Sequence, residues 1–356
     1  MSGNMKKIII LLLMVLAFGC SKESQKEKLE KLIIKPEKSG FNDSLGTKLD
    51  SVNVKFLRYN FRSGEEYFYR TSRTQKNFAE ITTDTTAEVR YSYKIENEVH
   101  LKVTDVITDG SADLEMTITR FNLEIDNGFE ILHFTSDSVY TGKIKKMIGY
   151  DEAVFNSPFS VTVSNTGKIL LFNKVDAIVE KYIEIVQPQK EITPEDRAAV
   201  KGKITKEIFT PLLKQIFRPT PEKEFKKDLL WYDNQLTDID IFKVLSVAIY
   251  QPDFFYIAKE KPDTLARIAI AYTSNLKKEA SVEQNERKFL EEPKIEGKGY
   301  YFYNLSESAI TEGFATTETK YSYQTTETKS DGKEVRSTIK TNIVRENRVE
   351  LLEKKN

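Results

Sequence analysis

Much of the sequence consists of short runs in which apolar and polar residues alternate. In 89–95, Val, Tyr, Tyr and Ile alternate with Arg, Ser and Lys, and 266–273 repeats the period of two. Such alternation gives a β-strand one apolar face and one polar face. The parity of the apolar positions changes between 114–118 and 121–125, which predicts a β-bulge near Arg120.

Residues that tolerate a positive backbone φ separate these runs, which predicts a meander of antiparallel hairpins. The predicted turns are Asp109-Gly110, Asn127-Gly128, Asn165-Thr166-Gly167, Glu312-Gly313 and Asp331-Gly332. The 21 Phe and 17 Tyr supply bulky side chains for a large core. With a single Cys in the chain, no internal disulfide is expected, so stability must come from packing.

The hydrophobic period changes to that of a helix in the middle of the chain. Apolar residues in 175–185 and 200–216 recur at helical spacing, and Asn173 is predicted to cap the first helix. Residues 193–196 read Thr-Pro-Glu-Asp, which provides a cap, a first-turn proline and acidic groups for the second helix. Pro211 is predicted to kink that helix or end it early.

These patterns predict an α+β fold that is predominantly antiparallel β, with curved sheet in two lobes and a two-helix insertion between them. The predicted boundaries within a globular domain at 53–356 are a β-lobe at 53–172, the helical insertion at 173–230 and a β-lobe at 231–356. At this point the two β-regions are compatible with one continuous sheet or with two. The sequence carries no pattern that determines an oligomeric state.

The N-terminus resembles a bacterial lipoprotein signal. Two lysines precede an apolar run at 8–18, which is much shorter than the ~20 residues of a membrane-spanning helix. The small residue Gly19 comes directly before Cys20. We therefore predict a signal peptide at 1–19, acylation at Cys20, and a lipid-anchored protein of the outer membrane, on its periplasmic or cell-surface face. An ordinary cleaved signal that leaves a free thiol is the alternative.

Residues 20–52 are rich in Lys, Glu, Ser and Asn, a composition that predicts a flexible tether between the anchor and the globular domain. Two tripeptides in it, Asp-Ser-Leu at 43–45 and Asp-Ser-Val at 50–52, match a bacterial O-glycosylation acceptor pattern. Ser44 and Ser51 are therefore candidate glycosylation sites.

The charge balance and the motifs argue against several functions. The chain has 54 Lys+Arg and 54 Asp+Glu, and such an evenly mixed surface does not favour nucleic acid as a partner. It lacks a Walker loop, a dinucleotide fingerprint and calcium-loop spacing. His100 and His133 each lie alone in a strand-like run, so neither a zinc site nor a nucleophilic triad is expected. We predict a protein that is not an enzyme and that has no metal and no cofactor.

Aromatic residues occupy consecutive positions in a few strands, most clearly at Tyr300, Tyr301, Phe302 and Tyr303. A half-buried strand needs rings on only one face, so rings on both faces require another explanation. They line a cavity for an acyl chain, stack on sugar rings, or pack in a two-sided core. The two-sided core is the commonest of these arrangements, and the cavity is the one that implies a ligand.

Several short segments resemble those of an uncharacterised family of Bacteroidota envelope lipoproteins, a domain of unknown function. They are Phe-Arg-Ser-Gly-Glu-Glu-Tyr at 61–67, Ser-Asn-Thr-Gly-Lys-Ile at 164–169, Trp231, and Ile-Glu-Gly-Lys-Gly at 295–299. The architecture is also similar to that of lipoprotein-carrier and lipoprotein-sorting proteins, in which a curved sheet covers an apolar cavity closed by helices. The family has no assigned catalytic residues, so the resemblance implies none here.

Taken together, these patterns favour a non-enzymatic outer-membrane lipoprotein that binds an amphipathic ligand, such as a lipid, or an envelope component in a curved-sheet cavity. The alternative is an envelope scaffold or adhesin-like interaction module. Its contact surface would be the exposed strand edges and the Thr-rich run at 316–328.

Overall fold

The structure is a computed structural model that describes residues 36–187, 192–239, 242–276, 288–328 and 333–355. The predicted signal peptide, Cys20 and the predicted turn at Asp331-Gly332 lie outside these residues. Thirteen strands of the described chain form one antiparallel sheet. They are β1 (Gly46–Leu49), β2 (Glu66–Thr82), β3 (Thr86–Val106), β4 (Ala112–Asp126), β5 (Ile131–Thr135), β6 (Phe159–Val163), β7 (Ile169–Asn173), β8 (Trp231–Ile239), β9 (Phe242–Ala258), β10 (Thr264–Leu276), β11 (Lys288–Asn304), β12 (Ala309–Thr328) and β13 (Glu334–Lys355).

The strands follow the order β1-β9-β10-β11-β12-β13-β2-β3-β4-β6-β7, with β5 added to β4 and β8 added to β9. The last strand pairs with β2 along its length, from Thr338 opposite Thr82 to Lys355 opposite Glu66. The two predicted β-lobes are therefore one continuous sheet. The path begins at β1 and ends at β7, so the described strands do not close on themselves. The predicted α+β class with a predominantly antiparallel sheet is confirmed.

The predicted bulge near Arg120 is confirmed. Val99 pairs with Ile118 and Glu98 pairs with Arg120, so Thr119 is the extra residue that shifts the side-chain parity of β4. The predicted turns before residue 170 also lie between consecutive strands, with a positive φ at each glycine.

The predicted turn at Glu312-Gly313 is wrong. These residues lie inside β12, where Gly313 is opposite Tyr301 on one side and Val349 on the other. A glycine in a strand gives room to large side chains on both neighbouring strands, so it does not require a turn. The Thr-rich run at 316–328 belongs to the same strand. Its residues pair with β13 throughout, and those up to Gln324 lie within the pairing with β11 as well, so most of the run is not a free strand edge.

The helices lie on one face of the sheet. They are α1 (Gly142–Met147), α2 (Gly149–Val154), α3 (Asp176–Val186), α4 (Pro194–Lys203), a π-helical segment (Ile204–Phe209) and α5 (Thr210–Ile216). The predicted cap of the second helix is confirmed, because Thr193 and Asp196 form a capping box. Asn173 does not cap α3, since it is the last residue of β7. The six-residue helices α1 and α2 were not predicted, because they are too short to show a helical period.

Pro211 does not end the second helix. It lies in the first turn of α5, directly after the π-helical segment, and the helix continues to Ile216. The irregular part of the helix is therefore the π-helical segment before the proline. Its wider spacing accommodates the N–H that Pro211 lacks. Among the described residues, no helix is both long enough and apolar enough to cross a membrane.

We call the face of the sheet that packs against the helices the inner face. Its core combines sheet residues such as Tyr69 and Leu101 with helical residues such as Phe209 and Leu213, all of them buried. Phe159 of β6 stacks on Phe209 with ring centroids 3.7 Å apart. Burial of each such side chain stabilises the fold by roughly 1.5–3 kcal/mol, so this layer is the main source of stability.

The segment before β2 covers part of the opposite, outer face. Phe41 contacts Phe254 and Tyr256 at centroid distances of 5.1 and 5.9 Å, and β1 pairs with β9. The Ser39 backbone N–H and hydroxyl both donate to the Asp253 carboxylate at 3.0 Å. The folded part thus begins before residue 52, where composition predicts a tether. A few apolar residues suffice there because the sheet edge supplies backbone hydrogen bonds.

Candidate functional site on the inner face

The helices cover only part of the inner face. α5 packs on β2 and β13. There the Gln215 amide nitrogen, in the orientation in which it faces backbone oxygens, donates to Ser72 (3.3 Å) and Arg348 (2.9 Å). Arg73 is the next inner-face residue of β2, and Arg345 lies diagonally opposite it on β13. The candidate site begins at this pair of arginines.

Gln75 links the two arginines. Its Oε1 atom accepts a hydrogen bond from Arg345 Nε at 2.7 Å and a longer one from Arg73 at 3.5 Å. Its amide nitrogen donates to Asn77, and the Arg73 guanidinium lies over the Tyr93 ring, 5.6 Å from the centroid. No carboxylate of the described residues lies within ion-pair distance of either guanidinium. A neutral amide therefore orients two positive charges without neutralising them.

The electrostatics of the pair favour an anion. Burial lowers the pKa of Arg345, and the positive charge of Arg73 lowers it further, while Tyr93 acts in the opposite direction. Burial raises the pKa of the Tyr93 hydroxyl, Arg73 and Arg345 lower it, and Asp151 and Glu207 on the helices raise it by a smaller amount. A half-buried pair of like charges is costly unless an opposite charge compensates it.

The inner face beside Arg345 is lined by small residues. Across the sheet, Arg345 is opposite Thr317, Thr317 is opposite Gly297, and Gly297 is opposite Tyr272. At about 4.8 Å per strand, Arg345 and Tyr272 are separated by about 14 Å with little side-chain volume between them. A Cβ at Gly297 would lie 2.3 Å from the backbone oxygen of Thr316, so the close approach of β12 requires glycine. The result is a shallow strip across the middle of the inner face.

Apolar side chains continue along the inner face away from the helices. Tyr91 and Tyr93 of β3 and Ile339 and Ile343 of β13 share this face with the arginines, because side chains of a strand alternate. Ile339 and Ile343 pack against a buried cluster of Val244, Ile295, Tyr321 and Tyr323. Tyr91 remains 37% exposed. Two charged groups thus lie at the boundary of a partly exposed apolar surface.

The structure divides the four aromatic residues predicted to line a ligand cavity between the two faces. Tyr301 and Tyr303 are buried in the core of the inner face, where the Tyr303 hydroxyl donates to the Arg58 backbone oxygen at 2.7 Å. Tyr300 and Phe302 lie on the outer face, and Arg267 lies over the Tyr300 ring at 4.5 Å. This arrangement corresponds to the two-sided core. Arg73, Gln75 and Arg345 were not singled out from the sequence, because residues on different strands show no common spacing.

The other predicted residues lie apart from this site. Ser44 and Ser51 are both exposed, as a glycosylation site requires, and their modification stays a prediction. His100 pairs with Glu66 at 3.1 Å and stacks on Phe68, and the exposed His133 pairs with Glu124 at 3.6 Å. In the part of the chain that the structure describes, no group of three His, Cys, Asp or Glu residues is placed to bind a metal ion.

The fold and the inner face define an α+β protein with an open antiparallel sheet and a half-covered, arginine-bearing surface. Residues 109–250 match a sequence family described as "Family of unknown function (DUF6263)", which agrees with the expected likeness to a family without an assigned function. The Bacteroidota origin and the lipoprotein nature stay predictions. No curated protein matches the chain.

Among solved structures, one that concerns lipid–protein interactions in lipovitellin is similar, with a TM-score of 0.41 and 11% sequence identity. The match covers 83% of this chain and 26% of lipovitellin. The chain thus spans about a quarter of lipovitellin. Two weaker matches follow. DynF from the dynemicin biosynthesis pathway of Micromonospora chersina has a TM-score of 0.14 and 6% identity, and the match covers 88% of this chain and 95% of DynF. A DUF1329 family protein from Desulfovibrio piger has a TM-score of 0.12 and 7% identity, and the match covers 76% of this chain and 83% of that protein. Likenesses of this size carry no functional argument.

Proposed function

We propose that this protein binds an acidic amphiphile on the inner face of its sheet, without catalysing a reaction. The acidic group is bound by Arg73 and Arg345, and the apolar part lies along Tyr91, Tyr93 and Ile343. The observation that carries the proposal is the pair of guanidinium groups that a neutral glutamine joins, with no carboxylate partner among the described residues.

Charge complementarity supports an acidic ligand. Guanidinium groups donate bidentate, charge-assisted hydrogen bonds to carboxylate and phosphate groups. Two guanidinium groups side by side can therefore bind one carboxylate or phosphate between them. The adjoining surface supports an amphiphile, because it is apolar, partly exposed and continuous with the arginines. A small polar anion would gain nothing from the tyrosines and isoleucines beyond the charged pair.

We propose that the protein acts at the outer membrane, anchored through an acyl group on Cys20. The support is the sequence pattern of a lipoprotein signal, with two lysines, a short apolar run and Gly19 before the cysteine. Cells grown with labelled palmitate should incorporate it into the wild-type protein and not into Cys20→Ser. Equal labelling of the two proteins would refute acylation at this residue.

The binding proposal is tested by native mass spectrometry of the full chain carrying Cys20→Ser, so that a covalent lipid is not mistaken for a bound one. The probes are diheptanoyl phosphatidylglycerol, which is acidic, and diheptanoyl phosphatidylcholine, which is zwitterionic. We expect the acidic lipid to bind more tightly than the zwitterionic one, and we expect Arg345→Gln to lower the affinity for the acidic lipid about tenfold. Arg348→Gln is the matched control, because Arg348 lies on the same strand but on the outer face. Equal binding of both lipids, or an equal loss in both variants, would refute the proposal.

A further inference from the structure

A second cationic group lies on the other side of the inner face, in the segment that follows α5. The Tyr59 hydroxyl accepts a hydrogen bond from the Arg218 N–H at 2.9 Å and donates one to the Arg218 backbone oxygen at 3.0 Å. Gly167, at φ +78°, lies so close that a Cβ on it would be 2.5 Å from the same oxygen. The backbone of Arg218 is therefore fixed from two sides, which limits where its side chain can point.

The Arg218 side chain extends among tyrosines. Its guanidinium donates to the Tyr272 hydroxyl at 3.3 Å, and no carboxylate within the described ranges lies at ion-pair distance from it. Burial alone lowers the pKa of Arg218, but the hydroxyls of Tyr272, Tyr250 and Tyr301 raise it, so the group keeps its charge. Asp233, an acidic group that acts on Tyr250 of this cluster, pairs with Lys214 at 3.7 Å.

The Tyr301 hydroxyl is an independent sign of a missing partner. The Tyr301 side chain is 1% exposed, and its hydroxyl has no hydrogen-bond partner among the described residues. Tyr301 is opposite Ile268 on β10, and Tyr250 is opposite Ile270, so both rings lie on the same face as Tyr272. A buried hydroxyl without a partner has lost its hydrogen bonds to water and gained none in the protein, so a ligand atom that pairs with it would remove this cost.

We propose that Arg218, Tyr272 and Tyr301 form a compact oxyanion site that takes a carboxylate or phosphate group. Tyr272 already accepts a hydrogen bond from Arg218, so its own O–H is available as a donor, and the Tyr301 O–H is available too. In this proposal the Arg218 guanidinium and the two phenol groups bind the same anion. The site differs from the arginine pair of β2 and β13 and does not depend on the amphiphile proposed there.

The test uses isothermal titration calorimetry and thermal unfolding of the full Cys20→Ser chain. The probes are inorganic phosphate, acetate and diheptanoyl phosphatidylglycerol. We expect at least one of the probes to bind, and we expect Tyr301→Phe to lower the affinity for that probe about tenfold. The Tm without ligand should be unchanged or higher in this variant, because it removes an unpartnered hydroxyl. Binding of phosphate or acetate identifies a free anion as the ligand, whereas binding of the lipid alone identifies its head group.

Tyr303→Phe is the matched control, since Tyr303 is buried on the same strand and face but donates to Arg58. It should lower the Tm and leave the affinity unchanged. Arg345→Gln separates the two proposals, because it should not affect the Arg218 site. The oxyanion site is refuted if none of the probes binds, or if the ligand that binds does so equally in the parent chain and Tyr301→Phe.

Discussion

Gln75 and Arg345 face each other across β2 and β13, and the Gln75 Oε1 atom accepts a 2.7 Å hydrogen bond from Arg345 Nε. The same oxygen lies 3.5 Å from the Arg73 guanidinium. A carboxylate at this position would neutralise the pair, whereas an amide only orients it. The choice of glutamine keeps the positive charge available to a ligand at some cost to the unliganded fold.

Gln75→Glu should therefore act in opposite directions on stability and binding. Adding a carboxylate between the two guanidinium groups should raise the free energy of unfolding by about 1 kcal/mol. It should also lower the affinity for the acidic lipid at least tenfold. Urea unfolding and native mass spectrometry measure the two effects. Gln324→Glu, on a neighbouring strand, adds the same charge elsewhere on the sheet as a control. Unchanged lipid binding in Gln75→Glu would contradict the role given to the arginines.

The buried ion pair of Glu65 and Lys354 should contribute strongly to stability. Their side chains are 4% and 11% exposed, the charged atoms are 3.2 Å apart, and the Tyr67 hydroxyl donates to Glu65 at 2.8 Å. Glu65→Gln would leave a buried ammonium group without its partner. We expect a loss of about 3 kcal/mol in the free energy of unfolding by urea.

The exposed pair of Lys94 and Glu96 provides the comparison, since its side chains are 46% and 39% exposed. Glu96→Gln should change the free energy of unfolding by no more than about 0.5 kcal/mol, because solvent screens the interaction. Similar losses in Glu65→Gln and Glu96→Gln would show that the Glu65 pair is not effectively buried.

The sequence predicted those parts of the fold that depend on local patterns. Alternation gave most of the strands, the parity change gave the bulge at Thr119, and Thr193 to Asp196 gave a capped helix. It did not show that β13 pairs with β2, because that pairing joins residues from opposite ends of the chain and leaves no periodic signal. The candidate site was missed for the same reason, since Arg73 and Arg345 meet only through this pairing.

The segment before β2 should be held on the sheet by Ser39. Its backbone N–H and hydroxyl donate to Asp253, which also pairs with Arg267. Ser39→Ala should lower the free energy of unfolding by about 0.5–1.5 kcal/mol and speed amide hydrogen exchange within 36–49. Hydrogen-exchange mass spectrometry measures both the rate and its location. Ser44→Ala, at an exposed position of the same segment, is the control, and unchanged exchange in Ser39→Ala would contradict the clamp.

Asp151 on α2 should make stability depend on pH. Burial, with a smaller effect of Glu152, raises the pKa of Asp151 from 3.8 to about 6. The fold therefore favours the protonated carboxyl, so its contribution to stability is complete below about pH 4 and is lost as the pH rises through 6. Because the residue is not fully withdrawn from water, we expect a cost on the order of 1–2 kcal/mol at pH 7.

Asp151→Asn removes the ionisation and keeps the shape of the side chain. The variant should be more stable than the parent protein at pH 7 by that amount, and the difference should vanish near pH 4. Urea unfolding at a series of pH values measures the difference, and Glu184→Gln, at an exposed position of α3, is the control. If the difference between Asp151→Asn and the parent were the same at pH 4 and pH 7, the carboxyl would not titrate in this window and the burial of α2 on the sheet would have to be looser than the structure shows.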